Sequence, residues 1–189
     1  PELSGKNIAI VTHAGGPAVM LTDALSDGGM NIPHLEGSKA DALLAKLFPG
    51  SSVANPIDFL ATGTAEQMGQ IIDACNNDFD EVDGTAVIFG SPGLFPSFDV
   101  YEVIAEKIKT SPKPIFPIFP SYGWVKDEVD GFVAKGGVYF PDEGLFGRAL
   151  AKVYNTPAPQ PEKAALPEVD EEGIRRVVDA AGNGYLSPN

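Results

Sequence analysis

Apolar residues along this chain fall into two alternating textures. Short continuous runs at Asn7–Thr12, Thr85–Phe89 and Pro114–Phe119 are bounded by turn-forming residues and predict buried strands. Asn31–Leu35 and Val138–Phe140 are weaker strand patterns. Between the runs, apolar positions recur every three or four residues. That period predicts helices over Pro17–Asp27, Lys39–Phe48, Thr64–Asn76, Asp99–Thr110, Gly123–Lys135, Glu143–Tyr154 and Asp170–Ala181. Thr64 and Gln67 have the spacing of a reciprocal capping pair, and Asp99 is a candidate cap. Five strands separated by helices predict an α/β fold: a flavodoxin-like three-layer sandwich around a five-stranded parallel sheet, with right-handed crossovers. The prolines in Pro114–Phe119 would delete ladder donors if that strand were paired centrally.

The first strand-to-helix junction carries the most chemistry. Ile8–Thr12 breaks at Ala14-Gly15-Gly16-Pro17 and resumes with helical period. Two glycines are expected to remove Cβ atoms that would crowd a sharp turn. Pro17 suits a first helical position, where a missing N–H costs nothing. The first free N–H groups of such a helix point out of the carboxyl edge of the sheet. Unpaired donors and the helix dipole together favour an anion there. Gly15, Gly16, Pro17 and Ala18 are therefore the candidate phosphate-binding residues, against the competing reading of a purely structural turn. No Gly-x-Gly-x-x-Gly follows the strand and no Gly-Lys-Ser/Thr closes a loop, which argues against the common dinucleotide and triphosphate sites.

Other loops at strand carboxyl ends, Gly90–Gly93 and Pro120–Trp124, are rich in glycine and hydroxyl residues and lack Lys and Arg. They offer a phosphate donors but no neutralising charge. Thr12, His13, Asn55 and Asp58 are candidate supports for these loops. Asn55 precedes Pro56, which favours an extended conformation, and both Asn55 and Asp58 are able to tie a neighbouring loop through side-chain hydrogen bonds. His13 has the chemistry of a base, a metal ligand or a phosphorylated side chain. The sequence shows no carboxylate paired with it, and two scattered histidines do not make a metal site, so a loop donor is the favoured reading.

The 189 residues carry 13 Lys and Arg against 26 Asp and Glu, for a net charge of −13. That balance argues against a nucleic-acid groove and against attachment to anionic membranes. No apolar run has the length of a bilayer span, and the opening residues do not read as a signal peptide. The single cysteine, Cys75, lies at helical spacing from Ile71 and Ile72 and reads as a buried core thiol. A reducing cytoplasm is the expected setting.

Composition changes after Tyr154. The expected organisation is a flavodoxin-like domain over residues 1–154, a Pro-rich linker over 155–169, and the start of a further domain over 170–189. Asp179–Tyr185 superficially resembles a calcium loop, but Ala181 fills a position that needs an oxygen ligand.

Ile8–Leu25, Leu47–Asp58 with its Asn55-Pro-Ile-Asp58, and Asp80–Phe89 resemble the NDP-forming acyl-CoA synthetases, a family related to succinyl-CoA synthetase. The similarity covers roughly residues 6–154, and the tail from Glu168 resembles the lead-in to an ATP-grasp domain. The resemblance implies a ligase domain of an enzyme that converts acyl-CoA, NDP and phosphate to acid, CoA and NTP. In that family the phosphoryl group travels on a histidine of another domain. CoA, ATP or ADP and Mg belong to further domains, so no cofactor is expected on this one. The implied partners are the CoA-binding, histidine-loop and ATP-grasp domains, with phosphate as the guest. Gly15, Gly16 and the helix begun by Pro17 match the family's turn. His13 departs from it, standing where the pattern has asparagine.

Two other function classes compete. Ligase-like regions also occur as ligand-sensing modules of protein lysine acetyltransferases, without ligation activity. An FMN carrier rests on fold analogy alone, because the first loop lacks a hydroxyl-rich cradle.

Overall fold

The computed structural model describes residues 1–93, 96–159 and 168–181. The described residues divide into two units, one up to residue 156 and one from residue 157.

The first unit is built on four parallel strands. They are β1 (Ile8–Thr12), β2 (Ile57–Asp58), β3 (Gly84–Ile88) and β4 (Ile115–Ile118), in the spatial order β2-β1-β3-β4. All five residues of β1 and all five of β3 are buried, as expected of strands covered on both faces. Among the described residues of this unit the helices are α1 (Gly15–Asp27), α2 (Ser38–Leu44), α3 (Ala65–Asn77), α4 (Phe98–Thr110), α5 (Lys126–Ala134) and α6 (Glu143–Tyr154). One face of the sheet meets α1 and α6 through Ile8, Ile10, Leu21, Leu25, Ile88 and Phe146. The other face packs on α3, α4 and α5 through Val11, Ile71, Ile72, Val87, Ile104 and Val129. The sequence separates these two faces by simple alternation along β1.

The sheet has four strands rather than the expected five. Val138–Phe140 contributes only the bridge between Phe140 and Ile118. Its approach is consumed in a turn: Gly136 has φ +86°, and Gly137 lies so close to the Phe132 ring that a Cβ there would fall 2.2 Å from it. Pro141 then follows and cannot extend the ladder. Asn31–Leu35 likewise reduces to one bridge, Asn31 to Asn7. Pro33 interrupts it, and the Pro33 carbonyl is taken by a side chain instead. The two-residue β2 carries no strand signal of its own. Pro117 sits inside β4, opposite Val87, at the edge of the sheet.

Several helices start at other residues than the periodicity predicts. Helix α1 begins at Gly15, so Pro17 occupies the third helical position rather than the first. It still lies in the first turn, where no intrahelical N–H bond is lost. Helix α4 starts at Phe98 after Ser97, and the Asp99 carboxylate accepts the Val100 N–H instead of capping the end. Helix α5 starts at Lys126 rather than Gly123, because Ser121–Trp124 forms a turn closed by Trp124 N–H to the Ser121 carbonyl. Helix α2 stops at Leu44, short of Phe48. The Thr64–Gln67 capping box opens α3 as expected.

The second unit contains α7 (Glu171–Ala180), capped by Asp170, whose carboxylate accepts the Gly173 N–H at 2.8 Å. Most of the Pro-rich segment, residues 160–167, and the calcium-like loop beyond Ala181 lie outside the described residues.

Candidate functional site

The carboxyl ends of β1 and β3 meet at the centre of the sheet, and α1 starts beside them. Thr12 fixes the turn: its buried Oγ1 accepts the Ala14 N–H at 3.0 Å and donates to the Ala14 carbonyl at 2.8 Å. Ala14 is the N-cap and offers no side-chain cap, and no acidic residue stands in the first turn. Pro17 has no N–H, and the Ala18 N–H is the first that reaches back to the cap carbonyl in a regular helix. Gly15 and Gly16 are left as the donors without an intrahelical acceptor. Both are exposed, whereas Ala18 faces the core at 3% exposure.

The reason for the two glycines differs from the one the sequence implied. A Cβ at either position would meet nothing within 4 Å, and neither has positive φ. The turn itself does not demand them. Their effect is to leave the donor end of α1 bare, open to whatever approaches it.

Asn55 and Asp58 act in the framework around this turn. The Asn55 amide donates to the carbonyls of Ile8 and Pro33, at 3.0 Å each, and its Oδ1 accepts the Ile10 N–H at 2.9 Å. Its φ of +68° is left-handed rather than extended, a region that asparagine tolerates. Asp58 Oδ1 accepts the Leu60 N–H at 2.9 Å, holding the loop after β2.

His13 projects from the end of β1 against Phe89, with ring centroids 4.8 Å apart. Its Nδ1 is buried without a hydrogen-bond partner. Burial pushes the ring's pKa below its ordinary value, while the Ile88 backbone and the Asp58 charge act weakly the other way. Gly90 closes the group: a Cβ there would fall 2.8 Å from Ser121 Oγ and 3.8 Å from His13 Cε1. The sequence flagged His13 and both later loops, but not that Gly90 is the piece that lets them converge. His34 stands apart and is exposed, its Nε2 3.9 Å from a Glu36 oxygen.

Among the described residues no group of three or more His, Cys, Asp or Glu side chains is placed to hold a metal ion. No helix among them is long and apolar enough to cross a membrane.

No protein-family model matches the chain. It is 27% identical over 158 residues to the alpha subunit of acetate–CoA ligase [ADP-forming] II of Pyrococcus furiosus, covering 81% of this chain and 34% of that one. It is also 27% identical over 159 residues to the alpha subunit of isoform I from the same organism, covering 82% and 33%. The chain is a homologue of the ADP-forming acetyl-CoA synthetases. It spans about a third of the length of these relatives. Its fold is shared with the dinucleotide-forming acetyl-coenzyme A synthetase 1 of Candidatus Korarchaeum cryptofilum, at TM-score 0.64 and 22% identity, covering 82% of this chain and 36% of that one. That synthetase has also been solved with phosphate and ADP. The relatives named are acid–thiol ligases, and they lend no support to an acetyltransferase module.

Proposed function

We propose that this chain supplies the phosphoryl-docking ligase domain of an NDP-forming acyl-CoA synthetase. The observation that carries this reading is the bare start of α1, where Gly15 and Gly16 present exposed donors that the fold does not use. A phosphoryl group borne on a histidine of another domain docks there. Pro17 and Ala18 set the turn, Thr12 fixes Ala14, and Asn55 and Asp58 brace the strands behind it.

The chemistry matches the electrostatics. A transferable phosphoryl group must be held and then released, which two amides and a helix dipole allow better than a fixed cationic clamp. CoA, nucleotide and Mg belong to the partner domains, and the buried free Cys75 suits a reducing cytoplasm.

The test is acyl-CoA-driven NTP synthesis by CoA-binding, histidine-loop and ATP-grasp domains, assayed with and without this chain. Turnover that requires the chain and is lost with Gly16→Val supports the reading. Equal turnover without the chain contradicts it.

A further inference from the structure

A small cavity lies where α4 meets α5, on the face of the sheet opposite α1. It has room for one water-sized group, about 30 Å³. Phe98, Tyr101 and Glu102 line it from α4, and Glu128, Gly131 and Phe132 from α5. Tyr101 is 2% exposed, and its ring packs edge-on against Phe89 and Phe119. Its Oη is buried and has no hydrogen-bond partner among the described residues. Burial, and after it the Glu128 charge, push the phenol's pKa up, so Tyr101 keeps its proton.

Glu128 is half-buried and forms no ion pair among the described residues. Glu102 is already taken by Lys135, at 2.6 Å. Two carboxylates against one lysine leave the lining with an unbalanced negative charge. Gly131 sits inside α5, where alanine is the better helix former. A Cβ there would meet nothing within 4 Å, so packing does not demand the glycine. Its effect is to leave the α5 wall of the cavity bare.

We propose that this cavity takes the head of a primary ammonium, which donates to Tyr101 Oη and to the Glu128 carboxylate. An ammonium head is about the size of a water and brings the missing positive charge. A water would satisfy the phenol but leave the Glu128 charge unbalanced, and an anion would be repelled by it. The aromatic walls at Phe98 and Phe132 further favour a cation. The same head is carried by a free amine and by a lysine side chain. The proposal is independent of the docking reading at α1.

The experiment uses the full, isotopically labelled chain and methylammonium chloride at constant ionic strength, with sodium chloride and tetramethylammonium chloride as controls. NMR reads the Tyr101 ring and the Gly131 amide. The expected result is saturable shifts at both with methylammonium alone. Glu128→Gln should weaken binding about tenfold, and Gly131→Ala, whose methyl enters open space, should weaken it without harming the fold. Nα-acetyl-lysine amide separates the two sources: tighter binding than methylammonium assigns a partner's lysine, and weaker binding a free amine. Shifts shared by all three salts overturn the site, as does methylammonium binding unchanged in Glu128→Gln. No shift with any salt leaves the cavity to water and overturns it equally. The wild-type comparison among the salts decides the matter even where a variant fails to fold.

Discussion

The Asn55 side chain bonds Ile10 as a neighbouring strand would, its Oδ1 accepting the Ile10 N–H at 2.9 Å while its amide donates to the Ile8 carbonyl at 3.0 Å. One carboxamide thus takes the place of a peptide group along the stretch of β1 that lies between the Asn31 bridge and β2. It keeps two buried residues of the central strand satisfied and the strand straight up to His13 and the glycine turn.

Removing that amide should therefore loosen the platform of the site. Asn55→Ala leaves the Ile8, Ile10 and Pro33 backbone groups without their partner and should cost about 1–3 kcal/mol. Asn55→Asp keeps an acceptor for Ile10 but sets a carboxylate against two carbonyls, so it should be at least as destabilising. Urea unfolding of the three proteins checks both.

The glycines divide into those the fold needs and those it does not. Gly28 lies where a Cβ would come within 2.3 Å of the Ala151 Cβ, at the packing of α1 on α6. Gly28→Ala should lower stability by about 1–3 kcal/mol through overpacking. Gly15→Ala and Gly16→Ala enter open space and should leave stability unchanged or raise it by up to about 1 kcal/mol. Thermal melts of the three variants separate the two classes.

His13 imposes a pH dependence on stability. Its pKa is depressed in the folded protein, so below the ordinary histidine value the unfolded chain binds the extra proton first. The stabilisation from the neutral, part-buried ring is complete above about pH 7. It is lost as pH falls through the unfolded value towards the folded one. Urea midpoints at pH 7.5 and 5.5 should fall more steeply for wild type than for His13→Asn.

Cys75 should behave as core. It is fully buried, and burial raises its thiol pKa to about 12. A disulfide reagent at pH 8 should leave it unmodified in the native protein and label it stoichiometrically in urea.

Local signals carried much of the fold into the sequence. The apolar runs of β1 and β3, the Thr64–Gln67 box and the Asp170 cap all act within a few residues, and each stands where the pattern placed it. What could not be read depends on contacts distant in the chain. The bonds of Asn55 to β1 span 45 and 47 residues and substitute for a strand that Pro33 cuts short. The short β2 exists because Val11 and Thr12 lie beside it, without periodicity of its own. At the site, the Gly15-Gly16 turn was legible, but its reason was not: the empty space beside it exists only once the chain has folded. The notch at Gly90 required three strand ends to be brought together.

The most direct test of the central claim is an inorganic phosphate titration of the isotopically labelled chain followed by amide NMR. The account predicts saturable shifts centred on Gly15 and Gly16, abolished by Gly16→Val in a protein that keeps its fold. An amide spectrum in which these two residues stay still up to tens of millimolar phosphate, or in which Gly16→Val binds as wild type does, would contradict it.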